Sequence, residues 1–111
     1  MALYLSRFAY EPKVWAALIR NPENRRDAVR LTIEAAGGQL VDIWYSLGKE
    51  DGYILFESPS DVAAASFLVT TAASGNLRAM ETTRLMTADE MVAALDAATA
   101  LPYQGPRGEI R

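Results

Sequence analysis

The chain has 111 residues, a formal net charge of −3, and neither cysteine nor histidine. Its length is typical of one domain. The missing residue types exclude disulfides, thiol nucleophiles, zinc-finger and haem-type ligand sets, and the commonest general base. A mildly acidic chain is poorly suited to bind nucleic acid or anionic membranes. We therefore expect no metal, no cofactor, no nucleic-acid partner and no membrane partner.

The first third of the chain predicts a strand followed by two helical segments. Residues Ala2–Ala9 alternate and carry large apolar side chains, which is typical of a strand. A proline then ends the strand and suits the first turn of a short helix over Val14–Ile19. We expect Asn21 to cap a second helix over Glu23–Ala36, with Pro22 at its first position.

Two apolar runs separated by a short turn predict an antiparallel hairpin at the centre of the chain. The runs are Gln39–Leu47 and Tyr53–Glu57, and the segment between them, Gly48–Gly52, carries the residue types of a tight turn. A third helix is expected over Val62–Ala73. Ser58 is its predicted cap, because serine oxygens accept hydrogen bonds from the first helical amides.

The last third of the chain predicts a strand, a helix and a tail. Leu77–Met86 contains β-branched residues and is the fourth predicted strand. Thr87 and Glu90 have the spacing of a capping box, which begins a helix that reaches about Ala98. The segment Leu101–Arg111 is rich in proline and glycine, so we expect a flexible tail.

The resulting order, βαββαβ with an extra C-terminal helix, predicts an α+β protein with the ferredoxin-like plait as one domain over residues 1–100. Both major helices then cover one face of a four-stranded antiparallel sheet and leave the other face bare. Alternation along the second strand places Val41 and Ile43 toward the helices. It places Leu40, Asp42 and Trp44 on the bare face.

A bare face that carries tryptophan and leucine side chains is unfavourable in water. Packing of two such faces against each other would cover them, and it would give a two-fold dimer. We therefore expect a homodimer in which the two sheets form a dimeric α+β barrel. A second copy of the chain is the first expected partner.

An ordered set of short motifs resembles the GYD domain family, and the resemblance covers about residues 2–98. The set consists of Asn21-Pro22-Glu23-Asn24-Arg25, Gly37-Gly38, Tyr45 to Gly52, Pro59-Ser60-Asp61, Ser74 to Arg78, and Leu85-Met86-Thr87 leading to Glu90. The family signature has an aromatic residue between a glycine and an aspartate. Here Gly48 and Asp51 match the signature, but Glu50 stands before the aspartate and Tyr53 follows it. The resemblance implies a ferredoxin-like plait in dimeric α+β barrels and no established activity.

Asp51 has two interpretations. After a glycine-bearing turn and before an apolar strand, it could be a general base at the mouth of a barrel. Aspartate is also a favoured turn residue, because its carboxylate accepts hydrogen bonds from nearby backbone amides. We favour the turn interpretation.

Four residues are candidates for ligand binding: Arg7, Asp42, Trp44 and Arg78. A carboxylate beside an indole in a cavity could have a raised pKa and act as an acid or base. Alternatively, Trp44 packs in the dimer interface while Asp42 is ion-paired at the strand edge. An arginine that points into the barrel could hold an anion with two hydrogen bonds. The alternative for the arginines is a rim position, paired with Glu57 or Glu81 and of little energetic value.

We therefore expect a homo-oligomeric small-molecule-binding or structural module. The alternative is a cofactor-independent enzyme, similar to monooxygenases or isomerases, that acts on a small apolar or aromatic molecule in the barrel. The sequence assigns no catalytic residue in that case. The N-terminal segment lacks the pattern of a signal peptide, and no apolar run is long enough to span a bilayer. A cytoplasmic location is therefore expected.

Overall fold

The computed structural model describes residues 1–108, so the last three residues of the predicted flexible tail, 109–111, lie outside it. The elements in chain order are β1 (Ala2–Tyr10), α1 (Pro12–Arg20), α2 (Arg26–Ala35), β2 (Gln39–Tyr45), β3 (Gly52–Ser58), α3 (Asp61–Ala73), β4 (Leu77–Leu85) and α4 (Ala88–Ala98). The strands form one antiparallel sheet in the order β2-β3-β1-β4. The predicted α+β ferredoxin-like plait with an extra C-terminal helix is confirmed.

The hydrophobic core lies between the sheet and the helices α2 and α3. Alternate residues of β1 and β3 point toward these helices, and they include Tyr4, Phe8 and Phe56, which are all buried. The rings of Tyr4 and Phe56 stack with centroids 5.3 Å apart, and Phe67 of α3 meets Phe56 edge-on at 5.2 Å. Ile33 of α2 closes the core from the second helix. We call this side of the sheet the helix side.

The predicted start of α2 is wrong. Asn21 does not cap a new helix, because its backbone N–H still donates to Ala17 of α1. Pro22 disfavours helical backbone at the residue before it, so α1 ends at Arg20 and the chain continues without regular structure. The oxygen of Asn24 then accepts a hydrogen bond of 2.9 Å from the N–H of Arg26, where α2 begins.

The helix caps are only partly as predicted. α3 is capped by Ser60, whose hydroxyl accepts from the Ala63 N–H at 3.1 Å. The predicted cap, Ser58, is buried at the end of β3 and donates to the carbonyl of Ser60 instead. The predicted capping box of α4 is confirmed, since Thr87 and Glu90 each accept a hydrogen bond from the other's backbone N–H.

A β-bulge in β2 makes two predicted side-chain directions wrong. The register of β2 shifts between Leu40 and Asp42, so Val41 is an extra residue without its own partner in β3. Leu40 pairs with the buried Phe56 and packs on the core, so it lies on the helix side rather than on the bare face. Val41 is exposed rather than directed to the helices.

The other face of the sheet, which we call the open face, carries neither α2 nor α3. Direct pairs across the strands place Leu3 beside Leu85 and Leu5 beside Leu55 on this face. All four leucines are half-buried. Beyond the bulge, Trp44 pairs with Tyr53, whose side chain points away from the core, so Trp44 lies on the open face as predicted.

α4 projects away from the rest of the domain. Every residue from Met86 to Gln104 is exposed. The described chain has a radius of gyration of 18.7 Å and extends 62 Å in its longest direction, whereas a compact domain of this length has a radius of gyration of about 13 Å. Apolar residues of α4, among them Met91, Val92 and Leu95, follow helical spacing and form one stripe. No helix within residues 1–108 combines the length and apolar character that a membrane crossing requires.

Candidate functional site

Asp51 fastens the β2–β3 turn to the end of β1. Its carboxylate accepts a hydrogen bond of 2.8 Å from the Tyr10 N–H and one of 3.3 Å from the Trp15 indole. Its own N–H donates to the carbonyl of Phe8 at 2.9 Å. Two of these three hydrogen bonds join Asp51 to backbone groups, which is the turn interpretation that we favoured for this residue. The adjacent Gly52 leaves no room for a Cβ atom, because the ring of Phe8 packs directly on it.

Four aromatic residues gather around this turn: Phe8, Tyr10, Trp15 and Tyr45. The ring centroid of Tyr10 lies 5.1 Å from those of both Phe8 and Trp15. The hydroxyls of Tyr10 and Tyr45 form a hydrogen bond of 3.1 Å. Burial, and next the neighbouring Tyr45 hydroxyl, raise the pKa of Tyr10 well above its ordinary value. The Tyr10 hydroxyl therefore stays protonated and can donate a hydrogen bond at any physiological pH.

A cavity of about 210 Å³ lies beside this cluster, between the sheet and the helices α2 and α3. We call it the helix-side cavity. Phe8 and Ile54 contribute to its apolar floor, and both are buried. Tyr10, Arg25 and Asn76 bring polar groups to its lining. An apolar pocket with a few convergent polar groups is the usual form of a small-molecule site.

A second space of about 540 Å³ adjoins this cavity and runs along α1, and it shares Tyr10, Arg25 and Asn76 with the cavity. We call it the α1 groove. Lys13 and Arg20 also line it. The lining of the α1 groove thus has three cationic side chains and one acidic residue, Glu23, which pairs with Arg25 at 3.4 Å. The mouth of the helix-side cavity is locally positive, although the whole chain is acidic.

Another groove, of about 270 Å³, lies at one end of the open face. Its charged lining residues are Arg7, Lys49, Arg78, Glu50 and Glu81. Arg7 and Glu81 form an ion pair of 3.8 Å, which is the alternative that we considered for this arginine. Both side chains are more than one-third exposed, so the pair contributes little stability.

The structure brings two of the four candidate ligand-binding residues into one groove. Arg7 and Arg78 line the same groove. Trp44 lies on the open face in the same cross-strand row as Arg7, with Tyr53 between them. Binding of a ligand by Arg7, Trp44 and Arg78 stays a prediction.

Asp42 does not line this groove, and its side chain contacts α2 instead. At the bulge of the edge strand β2, its carboxylate accepts from the Ile43 N–H at 2.8 Å and from the Arg26 guanidinium at 3.0 Å. The Ile43 amide, followed by the Arg26 guanidinium, holds the pKa of Asp42 below its ordinary value. The raised pKa that we considered is therefore wrong, and ion pairing at the strand edge is correct.

Sequence reasoning missed Tyr10, Tyr45 and Arg25 as a group. Tyr10 continues the alternation of Tyr4 and Phe8 by one more step, and this signal would have placed it on the helix side. Arg25 gives no such signal, because an arginine at the start of a helix is usually solvated. Within residues 1–108, no group of three or more acidic side chains is arranged to hold a metal ion.

A four-stranded antiparallel sheet with two helices packed on one face defines this chain as an α+β protein of the ferredoxin-like class. Residues 4–95 match the GYD domain, which is most of the chain. The protein therefore belongs to the GYD domain family, and the resemblance seen in its motifs is confirmed.

No curated protein matches the chain. Among solved structures, MtbAldR (Rv2779c) is similar, with a TM-score of 0.50 and 11% sequence identity. The similarity covers 99% of this chain and 58% of that chain, so the present chain spans little more than half of MtbAldR. At this identity the comparison shows a shared fold alone.

Proposed function

We propose that the protein is a homo-oligomeric small-molecule-binding module whose subunits associate through their open faces. One observation supports the assembly: Leu3, Leu5, Leu55 and Leu85 meet across three strands on a face that α2 and α3 do not cover. Removing apolar surface from water stabilises an assembly by about 25 cal/mol per Å². Contiguous apolar patches of this kind are common at protein interfaces.

The open face is suited to contact with an identical surface. In a two-fold dimer the same patch lies on both subunits, so leucines of one sheet would pack on leucines of the other. Trp44 lies on the same face and is 47% exposed in the single chain. In the dimer it would be covered by the partner and would add a large apolar contact to the interface.

α4 supports the same assembly. Leu85 is the last residue of β4 and lies on the open face beside Leu3, so α4 begins at the border of the proposed interface. Its apolar stripe contacts no core in the single chain. Isolated helices of this length are marginally stable in water. A second copy that covers the stripe would therefore stabilise the helix.

The assembly can be tested by sedimentation velocity over a range of protein concentrations. We expect the wild-type chain to be a dimer at micromolar concentration. Trp44→Glu is expected to shift it to monomers, because the substitution places a charge in a desolvated apolar contact. The matched control is Leu31→Glu on the outer side of α2, where Leu31 is 72% exposed, and it should leave the dimer intact.

A wild-type protein that sediments as a monomer at micromolar concentration would contradict the proposed assembly. Circular dichroism and thermal melting of Trp44→Glu are the control that tests whether the variant dissociates only because it is misfolded. Equal dissociation of the Leu31→Glu control would also count against the open face, because it would show that any added charge separates the subunits.

A further inference from the structure

We infer that the helix-side cavity binds a small carboxylate whose apolar body has about the size of one aromatic ring. This inference rests on the proposed small-molecule-binding function and names its site and ligand class. The cavity lies on the side of the sheet opposite the open face. Dimerisation through the open face therefore leaves it accessible.

The dimensions of the cavity fit a single ring or a branched aliphatic chain. Its volume is about 210 Å³, and an apolar cavity of about 150 Å³ is known to be large enough for benzene. Phe8, Ile54 and Phe67 contribute to the lining, and all three are at most 4% exposed. Water against such a surface finds few hydrogen-bond partners, so an apolar group can displace it favourably.

Two of the polar residues in the lining, Tyr10 and Arg25, are hydrogen-bond donors of the kind that a carboxylate requires. The two hydroxyls of Tyr10 and Tyr45 share one hydrogen bond, so one of their two O–H donors remains for another acceptor. Tyr10 lines the cavity and is only 8% exposed. Arg25 has five N–H donors. Its ion pair is a single exposed contact with Glu23 at 3.4 Å, which leaves other donors for a ligand.

The charges at the mouth favour an anion over a cation or a neutral molecule. Lys13, Arg20 and Arg25 line the adjoining α1 groove, against Glu23 alone among the acids. In a chain with a net charge of −3, this is a local excess of positive charge. A locally positive cleft with apolar walls concentrates anions and strengthens their interaction with a fixed cation.

The binding test uses the full-length ¹⁵N-labelled protein and two probes of the same shape, phenylacetate and uncharged phenylacetamide. We expect phenylacetate to cause saturable shifts at the backbone amides of Ala28, Phe67 and Thr71, which belong to the cavity lining. Phenylacetamide is expected to bind the same place roughly tenfold more weakly, because it lacks the charge-assisted hydrogen bond to Arg25.

Three variants locate the site. Arg25→Gln is expected to weaken phenylacetate roughly tenfold and to leave phenylacetamide unchanged. The matched control is Arg30→Gln, which removes an arginine of the same helix whose partner is Asp27 at 2.8 Å, and it should change neither probe. Ala28→Leu fills the cavity and should abolish binding of both probes, whereas the same substitution should leave the circular dichroism spectrum unchanged.

Absence of saturable shifts in the cavity at millimolar phenylacetate would overturn the inference. Equal weakening by Arg25→Gln and Arg30→Gln would also overturn it, since only the overall charge would then matter. Saturable shifts confined to Arg7, Lys49 and Arg78 would overturn the inference and leave the proposed function standing. The proposed assembly fails separately, through the sedimentation of the wild-type chain.

Discussion

The two faces of the sheet differ in how far the chain itself completes them. Adjacent residues of β1 and β3 show the contrast: Tyr4 and Phe56 on the helix side are at most 4% exposed, while their neighbours Leu3 and Leu55 on the open face are only half-buried. The helix side is covered by α2 and α3 of the same chain, apart from the helix-side cavity. The open face is an apolar layer that neither α2 nor α3 covers, and in the proposed assembly a second copy of the chain would cover it.

The two faces also differ in the side chains that they use. Aromatic rings pack against one another on the helix side, where the ring centroid of Phe56 lies within 5.3 Å of the centroids of both Tyr4 and Phe67. Such rings have preferred geometries and fix one arrangement of the helices on the sheet. The open face presents leucines, which pack well against an identical surface. We conclude that one face stabilises the subunit and that the other is suited to association.

The largest expected effect is on the helix side. Phe56→Ala should lower the free energy of unfolding of the subunit by about 3–5 kcal/mol, because it removes a buried ring and leaves a cavity. Urea unfolding in the Trp44→Glu background measures this loss without a contribution from assembly. A loss below about 1 kcal/mol would show that the helix side is not the stabilising face.

The neighbouring substitution on the open face should have a different kind of effect. Leu55→Ala is expected to weaken the dimer by about 2 kcal/mol through lost apolar contact. Sedimentation at several concentrations measures this change. In the Trp44→Glu background the same substitution should change subunit unfolding much less than Phe56→Ala does. If Leu55→Ala lowered the free energy of subunit unfolding as much as it weakened the dimer, the two faces would not have the different roles that we assign to them.

Removing the carboxylate of Asp51 should have a smaller effect that is confined to the helix side. Asp51→Ala leaves the Tyr10 N–H and the Trp15 indole without their acceptor. We expect a loss of about 1–2 kcal/mol in the free energy of unfolding. The near-ultraviolet circular dichroism of the aromatic cluster should change as well. Unchanged association by sedimentation is the control, and a dissociated dimer would contradict this assignment.

The smallest effect is expected at Asp42, where the two faces meet at the sheet edge. Because folding lowers the pKa of Asp42, its stabilising contribution is fully present above the ordinary value of 3.8 and is lost as the pH falls through the lower pKa of the folded state. Asp42→Asn should therefore be less stable than wild type at neutral pH, and the difference should shrink below that ordinary value. Urea midpoints across this pH range provide the measurement, and a constant difference would contradict the ionic role.

Much of the fold could be predicted because local signals agree with one another. The alternation in β1, the glycine-bearing turn before β3 and the capping box of Thr87 and Glu90 each specify an element that the structure contains. The bulge at Val41 could not be predicted in this way. Leu40 and Val41 are both apolar and β-compatible, so the sequence alone does not show which of them is the extra residue.

The candidate site was less predictable than the fold. Alternation along the strands predicts the open face, the position of Trp44 on it and the contrast between the two faces of the sheet. The helix-side cavity depends on how α2 and α3 are spaced on the sheet, and this spacing is set by packing between distant residues. Arg25 becomes a candidate only when its position beside Tyr10 is known.

The exposed helix α4 has a consequence for the turnover of single subunits. A helix with no buried residue opens readily, and proteases cleave segments that open locally. We therefore expect the bonds between Met86 and Leu101 to be accessible to proteases in a free subunit, while those of the sheet remain protected. In the proposed assembly, where a second copy covers α4, we expect the same bonds to become resistant. If the proposed assembly forms, limited proteolysis at this segment would report the fraction of unassembled protein.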